Sequence, residues 1–305
     1  MSFNLPPPRA DQPYFTVSAL EGGGLTIPAY YFVDPCPEDI EKLPIPATPF
    51  LLRHSITKQN ILLDLGIRKD YNNLPPAAAA EAKGFFSSLG AAEPQDVVDS
   101  LAKGGLKPSD ISHIFFSHIH WDHVGNPALF PYSTFVIGDG AEEVLEKGYP
   151  HDPDSPFSSN LLPLDRTIVL RSSGPRWEPL GPFPRVLDYY SDGSLYVVEA
   201  PGHLRGHFNL LLRTSPDGGW MYLAGDTCHN WRILTGELGV AERTHPITGK
   251  PFCIHEDKKV AEEHIARVRS LLGNKRVRVA IAHDSVWYEE NKGGPAFWPG
   301  AFESV

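Results

Sequence analysis

The hydrophobic residues of this sequence occur in short runs separated by glycine, proline and polar residues. Runs of this kind that are rich in branched and aromatic residues predict β-strands. The predicted strands have the sequences FTVSAL, LTIPAYYFV, FLLRHSI, NILLDLG, HIFF, SLYVVEA, FNLLLR, GWMYLAGD and VRVAIAHD, and a small segment, STFVIGD, lies between HIFF and SLYVVEA. Helices are predicted over 94–103, 140–147 and 256–272, so that strands followed by a helix occur twice along the chain.

Three stretches do not follow these patterns. Residues 1–13 are rich in proline and are predicted to be an N-terminal tail, which leaves 14–305 as a single domain. The segment 68–92 is rich in alanine, proline and asparagine, and we expect it to carry a short helix. The segment 149–184 contains many prolines and is predicted to be a long irregular stretch. Such stretches in a compact domain are usually functional or disordered.

Composition restricts the class of protein. The chain has 305 residues, of which 41% are hydrophobic and 21% charged, a balance that predicts a globular α/β protein with a buried core. Its formal net charge of −10 disfavours nucleic acid as a partner, because an acidic surface repels phosphate backbones. No apolar run approaches the roughly 18 residues of a membrane helix, and no signal peptide is recognisable, so we expect no membrane partner.

Cysteine usage bears on the compartment. The three cysteines, Cys36, Cys228 and Cys253, lie far apart, and an odd number without close spacing does not indicate a disulfide framework. A reducing compartment is the simpler interpretation, and a cytoplasmic location is predicted. The oligomeric state is left open by the sequence.

The strongest chemical pattern is His118-x-His120-x-Asp122-His123. It follows the predicted strand HIFF directly, and strand ends are where α/β proteins place their sites. Two histidines two residues apart can bind one metal, while the Asp-His pair after them can face a second. Imidazole and carboxylate ligands without a thiolate suit zinc, and also iron, manganese or cobalt.

Three later segments repeat one arrangement, an apolar strand followed by a residue that can bind metal. These residues are His203 after SLYVVEA, Asp226 after GWMYLAG and His283 after VRVAIA. We therefore expect two coordination spheres around two divalent cations. The first sphere would consist of His118, His120 and His203, and the second of Asp122, His123 and His283, with Asp226 bridging the two metals.

The motifs HIHWDH, PGHLRGH, LAGD and IAHD, in this order, resemble the successive motifs of the metallo-β-lactamase superfamily. Asp64 in LLDLG resembles the early Asp-x-Gly turn of that family, which lies behind the metal ligands. The resemblance covers about residues 50–285 and implies a four-layer αββα sandwich of the α/β class, with the metals at one edge. It also implies that His203, which follows Pro-Gly, is the ligand, and that His207 in the same loop has a supporting role.

The resemblance further implies hydrolysis by a hydroxide held between the metals, because a bound zinc lowers the pKa of water to about 7. The all-His/Asp ligand set and the single-domain size are similar to those of lactonases that open N-acyl homoserine lactones and related esters. Asp122 is the candidate for moving the proton. Many such lactonases carry a tyrosine three residues after the bridging aspartate. This chain has His229 there, either a proton donor or an ordinary loop residue.

A small-molecule substrate needs a pocket beside the metals. The segments 68–92 and 149–184 are the candidates for lining it. Four aromatic residues are expected either to line the pocket or to fill the core: Trp121, Trp231, Phe297 and Trp298. The remaining histidines are expected to be structural or exposed: His54, His113, His151, His245, His255 and His264.

Three alternatives remain open. A thioesterase acting on acyl-carrier or coenzyme A thioesters needs the same site. A metal-binding protein without catalysis would also keep the ligands. Nucleophilic catalysis by Cys228 is less favoured, because a Cys-His pair adjacent in sequence does not place one side chain on the other.

Overall fold

The computed structural model describes residues 5–38, 41–88, 95–244, 249 and 251–305, and of 85–88 it describes the backbone. The strands are β1 (Phe15–Ala19), β2 (Gly24–Pro28), β3 (Val33–Asp34), β4 (Lys42–Pro46), β5 (Phe50–His54), β6 (Asn60–Leu63), β7 (Ile111–Phe115), β8 (Thr134–Gly138), β9 (Thr167–Leu170), β10 (Trp177–Leu180), β11 (Phe183–Asp188), β12 (Leu195–Glu199), β13 (Phe208–Arg213), β14 (Trp220–Leu223), β15 (Gly239–Val240), β16 (Arg243–Thr244), β17 (Pro251–Phe252) and β18 (Val277–Ala280). The helices are α1 (Pro76–Ser88), α2 (Val97–Ala102), α3 (Trp121–Val124), α4 (Ala141–Glu146), α5 (Trp231–Thr235), α6 (Lys258–Arg269) and α7 (Ser285–Asn291).

Two six-stranded sheets form the centre of the described structure. The first has the order β1-β5-β6-β7-β8-β9, and the second β10-β11-β12-β13-β14-β18. In the first sheet β6 to β9 run parallel, and in the second only β14 and β18 do. The carboxyl ends of parallel neighbours lie at the same edge of a sheet, which prepares that edge for a shared site.

Successive side chains of a strand point to opposite faces of its sheet, and this divides the buried apolar residues into three clusters. Leu52 on β5 and Leu210 on β13 belong to one buried cluster between the sheets. Their neighbour Leu51 packs instead with Leu101 of α2, outside the first sheet. Beyond the second sheet a third cluster contains residues of α1, α5, α6 and the β2–β4 hairpin. The layers are therefore helix, sheet, sheet, helix.

The prediction that 149–184 is irregular throughout was wrong. This segment contains β9, β10 and the first residues of β11. Both β9 and β10 are edge strands, where a proline such as Pro179 is tolerated because one side of the strand needs no hydrogen bonds. Partial exposure on both faces also removed the alternation of apolar and polar residues that marks a half-buried strand.

The predicted bounds of the helices agree more closely with the structure. The predicted helices at 94–103, 140–147 and 256–272 are confirmed as α2, α4 and α6, with Pro94 outside the described residues. The run LTIPAYYFV is shorter as a strand than predicted, because a 3-10 turn at Ala29–Tyr31 separates β2 from β3. None of the described helices has the length and apolarity required to cross a bilayer.

The described part of the proline-rich N-terminus lies against the body of the protein. The guanidinium of Arg213, which is buried, donates hydrogen bonds to the carbonyls of Pro6 and Pro7 at 2.7 and 3.0 Å. The residues before β1 form no helix or strand among those described. The domain boundary at residue 13 stays a prediction.

Candidate metal centre

The predicted ligands follow strands that end at one edge of the sandwich. His118 lies three residues beyond β7, and His203 follows β12. Asp226 and His283 each lie three residues beyond the parallel neighbours β14 and β18. All seven predicted ligands belong to groups of side chains whose nitrogen and oxygen atoms lie within 4.8 Å of one another. Backbone pairing between strands thus brings together residues that are far apart in sequence.

Three histidine nitrogens form a tight triangle. His118 Nε2 lies 2.9 Å from His120 Nδ1 and 3.2 Å from His203 Nε2, and the latter two lie 3.1 Å apart. Three neutral imidazoles cannot pair all of these nitrogens through hydrogen bonds, because each ring carries a single proton. A tetrahedral zinc with Zn–N bonds of about 2.0–2.1 Å would hold its nitrogens about 3.4 Å apart. The triangle is therefore close to the geometry of a coordination sphere.

The second group lies on the other side of Asp226. His123 Nε2 and His283 Nε2 are 3.3 Å apart, and each lies 3.1 Å from Asp226 Oδ1. Asp122 Oδ2 lies 3.8 Å from His123 Nε2 and 3.7 Å from His283 Nε2. The other oxygen of Asp226 lies 3.7 Å from His118 Nε2 and 3.4 Å from His203 Nε2. One carboxylate thus faces both groups, as a bridging ligand must.

The donors present fit two divalent cations. Asp226 Oδ1 is buried and accepts no hydrogen bond from the described part of the chain, although two imidazole nitrogens lie 3.1 Å from it. Burial lowers the pKa of His118 and His203 well below 6.5, so both rings favour the neutral form that binds metal. Burial opposes a charge on His123 as well, but Asp226, Asp122 and Asp64 outweigh it and raise its pKa. This second group therefore attracts positive charge, which a cation would supply.

Asp64 orients the ligands from behind. It follows β6 and accepts hydrogen bonds from the Ser117 backbone N–H and hydroxyl, both at 2.7 Å, and from His123 Nδ1 at 2.9 Å. Its backbone is left-handed, with φ of 62°, a conformation that costs a non-glycine residue about 1–3 kcal/mol. Fixing the far nitrogen of a ligating histidine selects the tautomer that leaves Nε2 free for metal.

The hydrogen bonds of His207 leave neither of its ring nitrogens available to bind a metal. Its Nδ1–H donates to the Ala200 carbonyl at 2.8 Å, and its Nε2 accepts from the Asp226 backbone N–H at 3.2 Å. Both ring nitrogens are thus used, and the ring holds the loop that carries Asp226. His203 instead directs Nε2 into the triangle, and its choice as the ligand stays a prediction.

His229 reaches the centre of the site. Its Nε2 lies 3.0 Å from Asp226 Oδ2, and its ring stacks on that of His283 at a centroid distance of 5.4 Å. It could also join Asp226 and His283 around a metal, since the three form a compact donor group. The sequence left open whether His229 is a proton donor or an ordinary loop residue. In the structure its ring lies against the carboxylate of Asp226.

Comparison with known proteins assigns the family. Residues 44–247 match the model of the metallo-beta-lactamase superfamily. This chain belongs to that superfamily. The resemblance of its motifs and the predicted αββα sandwich are both confirmed.

Among curated relatives, the chain is 30% identical over 277 residues to the cytochrome P450 monooxygenase mpaDE of Penicillium roqueforti, covering 85% of this chain and 32% of that protein. It is 33% identical over 210 residues to the gamma-lactamase FDB1 of Fusarium pseudograminearum, covering 67% of this chain and 50% of that protein. The chain thus spans between about a third and a half of the length of these relatives. The monooxygenase name describes a protein that extends well beyond the matched stretch.

A solved structure shares the fold over nearly the whole chain. It is a quorum-quenching N-acyl homoserine lactone lactonase, which superposes with a TM-score of 0.66 at 16% identity. The superposition covers 95% of this chain and 99% of the lactonase. At this identity the likeness shows the fold alone.

The metallo-beta-lactamase site of this chain opens into a cavity of about 160 Å³. Five of the seven predicted ligands line it: His120, Asp122, His203, Asp226 and His283. Asp122 is the most exposed of the carboxylates at the centre, with 17% of its side chain accessible. A larger depression of about 530 Å³ next to the start of α6 contains none of the seven predicted ligands.

The wall of the cavity is largely apolar. The β2–β4 hairpin and nearby segments supply Leu25, Ile27, Phe32, Ile45, Trp121, Phe157 and Ile254. The two segments expected to line a pocket both contribute, 68–92 through Glu81 and 149–184 through Pro156 and Phe157. Trp231, Phe297 and Trp298 do not line this cavity; they pack with the apolar clusters.

Cys228 is buried, which agrees with the low weight that the sequence gave to nucleophilic catalysis. Burial raises the pKa of the Cys228 thiol to about 12, so this cysteine is poorly suited to act as a nucleophile.

His255 was expected to be structural or exposed. In the structure its Nδ1 lies 3.3 Å from Nδ1 of His203. No spacing in the sequence pointed to this contact. His245 lies outside the described residues.

Proposed function

We propose that this chain is a metal-dependent hydrolase that opens the ring of a lactone. The observation that carries the proposal is a cluster of seven side chains that could bind metal, five of which line a small, largely apolar cavity. We assign His118, His120 and His203 to one divalent cation and Asp122, His123 and His283 to the other, with Asp226 shared. Zinc is the simplest occupant for these donors, with iron, manganese or cobalt as alternatives.

Bound cations would supply a hydroxide at neutral pH and polarise the ester carbonyl. The chain's own residues then have separate tasks. Asp122 presents a carboxylate to the cavity, where it can hold the proton taken from water. His229 also borders the cavity and can donate a proton to the oxygen that leaves the carbonyl. The apolar wall holds the remainder of the substrate and excludes water.

The size of the cavity favours a compact substrate. A volume of about 160 Å³ lies below the roughly 300–1,000 Å³ of sites that enclose drug-sized ligands. A small ring fits such a site better than a long carrier-linked thioester. The solved structure with this fold is named an N-acyl homoserine lactone lactonase, which makes a lactone the first substrate class to test.

A second candidate is the hydrolysis of a γ-lactam. One relative at 33% identity is named a gamma-lactamase. Amide hydrolysis depends more on a proton donor than ester hydrolysis does, because an amine anion is a poorer leaving group than an alkoxide. His229, beside Asp226 and at the cavity, is a donor in the required place.

The test is a panel of substrates assayed with metal-loaded protein. The panel contains γ-butyrolactone, an N-acyl homoserine lactone, 2-pyrrolidinone, a coenzyme A thioester and a β-lactam. We expect the highest kcat/KM on a lactone, and abolition of that rate by chelation and by His118→Ala. Fastest turnover of the thioester would replace the proposal with a thioesterase. No turnover of any substrate by fully metal-loaded protein would favour a non-catalytic role.

A further inference from the structure

His203 makes an unusual contact on the side that faces away from the metal triangle. Its Nε2 belongs to the triangle, while its Nδ1 lies 3.3 Å from Nδ1 of His255. Ligating histidines generally donate their second N–H to a carboxylate, a backbone carbonyl or water. Here the partner is another imidazole, and that imidazole is 3% exposed.

The backbone fixes this pair in register. The N–H of Glu256 donates to the His203 carbonyl at 2.9 Å, and the N–H of Asp257 donates to the Gly202 carbonyl at 2.8 Å. The N–H of His255 itself is 3.4 Å from Cys253 Sγ. Asp257 then caps α6 by accepting from the Val260 N–H at 3.0 Å. The start of α6 and the loop that carries His203 are thus joined, and the rings of His203 and His255 lie edge to face at a centroid distance of 5.1 Å.

The proton arrangement follows from these positions. If His203 binds a cation through Nε2, its single proton lies on Nδ1 and donates to His255 Nδ1. His255 must then carry its own proton on Nε2, and this buried atom has no hydrogen-bond partner among the residues that the structure describes. The ring also packs beside His229 at a centroid distance of 5.6 Å.

We propose that His255 is a positioning residue that accepts the Nδ1–H of His203 and thereby fixes the tautomer and orientation of this metal ligand. The inference rests on the metal site of the proposed function and is independent of the substrate. It assigns a role to a residue that neither binds metal nor lines the cavity. A neutral imidazole is a weaker acceptor than a carboxylate, so it orients His203 while adding little negative charge near the cation.

The first test compares metal affinities by competition with a chromophoric chelator. His255→Leu removes the acceptor, and we expect zinc affinity at the position of the His118, His120 and His203 triangle to fall about 10–100-fold, the usual effect of losing such a partner. His255→Asn places Oδ1 where Nδ1 lies and should restore most of that affinity. The control is His54→Leu, which also removes a buried imidazole, but at the end of β5 remote from the site. It should leave zinc affinity unchanged.

The outcomes separate the two proposals. Absence of zinc binding by the unaltered protein would overturn the metal site itself. Zinc binding by the unaltered protein with equal affinity in His255→Leu would overturn the role of His255 alone. Equal losses in His255→Leu and His54→Leu would also overturn it, because the effect would then follow from lost packing.

A second measurement needs no variant. Two-bond ¹H–¹⁵N correlation spectra of the zinc-loaded protein report which nitrogen of each histidine carries the proton. We expect the proton of His203 on Nδ1 and that of His255 on Nε2. A proton on Nδ1 of His255 would overturn the proposal, because two N–H groups would then face each other and no hydrogen bond could form.

Discussion

The metal-binding cluster and the wall of the cavity are built in different ways. The ligands follow strands of the two central sheets, and five of the seven are at most 2% exposed: His118, His123, His203, Asp226 and His283. Most of the wall comes from the β2–β4 hairpin, α1 and the loop at Phe157, which all lie outside those sheets, while Trp121 contributes from within the metal motif. Reactive groups are thus attached to the most strongly hydrogen-bonded part of the molecule, and the surfaces that contact substrate are attached to its periphery.

This difference separates chemistry from specificity. Strand ends in a paired sheet hold side chains to within fractions of an ångström, as a metal centre requires. Peripheral segments can change in sequence without disturbing the ladder of backbone hydrogen bonds. Substitutions in the cluster should therefore change metal content and kcat, whereas substitutions in the wall should change KM and substrate preference.

The largest expected effect comes from His118→Ala in the cluster. Loss of one triangle nitrogen should remove metal and lower kcat/KM on the best lactone by at least about 10³-fold, since metal-assisted charge stabilisation contributes several kcal/mol. Metal quantification and steady-state kinetics provide the measurement, with circular dichroism to establish folding. A folded variant that keeps its metals and its rate would place the chemistry elsewhere.

His229 both contacts Asp226 of the metal-binding cluster and lines the cavity, so His229→Ala tests to which of the two regions it belongs. Removing a proton donor should lower kcat by about 10²-fold while leaving the metal content intact. The decrease should be greater for a lactam than for a lactone. A loss of metal in this variant would instead make His229 a ligand alongside Asp226 and His283, and the donor role would be rejected.

Phe157→Ala tests the wall. This ring lines the cavity and stacks on His120 at a centroid distance of 6.0 Å. Loss of part of its apolar contact with substrate should raise KM about 10-fold, equivalent to about 1.4 kcal/mol, with kcat and metal content nearly unchanged. Tyr132→Ala is the matched control, because this aromatic side chain is 76% exposed and does not line the cavity. An equal rise in KM in the control would contradict the assignment.

The smallest effect is expected from Cys228→Ala. The thiol is buried, and with a pKa near 12 it stays protonated at neutral pH. Activity should therefore be retained, and an alkylating agent at pH 8 should not inactivate the native protein by modifying Cys228. Abolition of turnover without loss of metal or fold would revive nucleophilic catalysis by this cysteine.

The cluster could be predicted from the sequence because each ligand follows an apolar strand. HIHWDH after HIFF and the Asp226 that follows GWMYLAG are local patterns, and parallel pairing of β14 with β18 brings Asp226 next to His283. The wall could not be predicted in the same way. Alternation identified β2 as a strand, but it does not tell which surface a hairpin covers.

His255 illustrates what local patterns omit. It lies 52 residues from His203, and the two meet because backbone hydrogen bonds join the loop to the start of α6. A single histidine before a helix cap has no signature of its own. In 149–184, β10 contains Pro179 and shows no alternation of apolar and polar residues. The strand β9 does carry a run of branched residues, TIVL, but within a proline-rich segment that was predicted to be irregular as a whole.

Seven side chains are proposed to hold two cations around one carboxylate. Native mass spectrometry of protein reconstituted with zinc and freed of excess metal measures the number of ions per chain directly. We expect two zinc ions per chain, and fewer in Asp226→Ala, which loses the shared ligand. A reconstituted, folded protein that retains one zinc ion or none would contradict it.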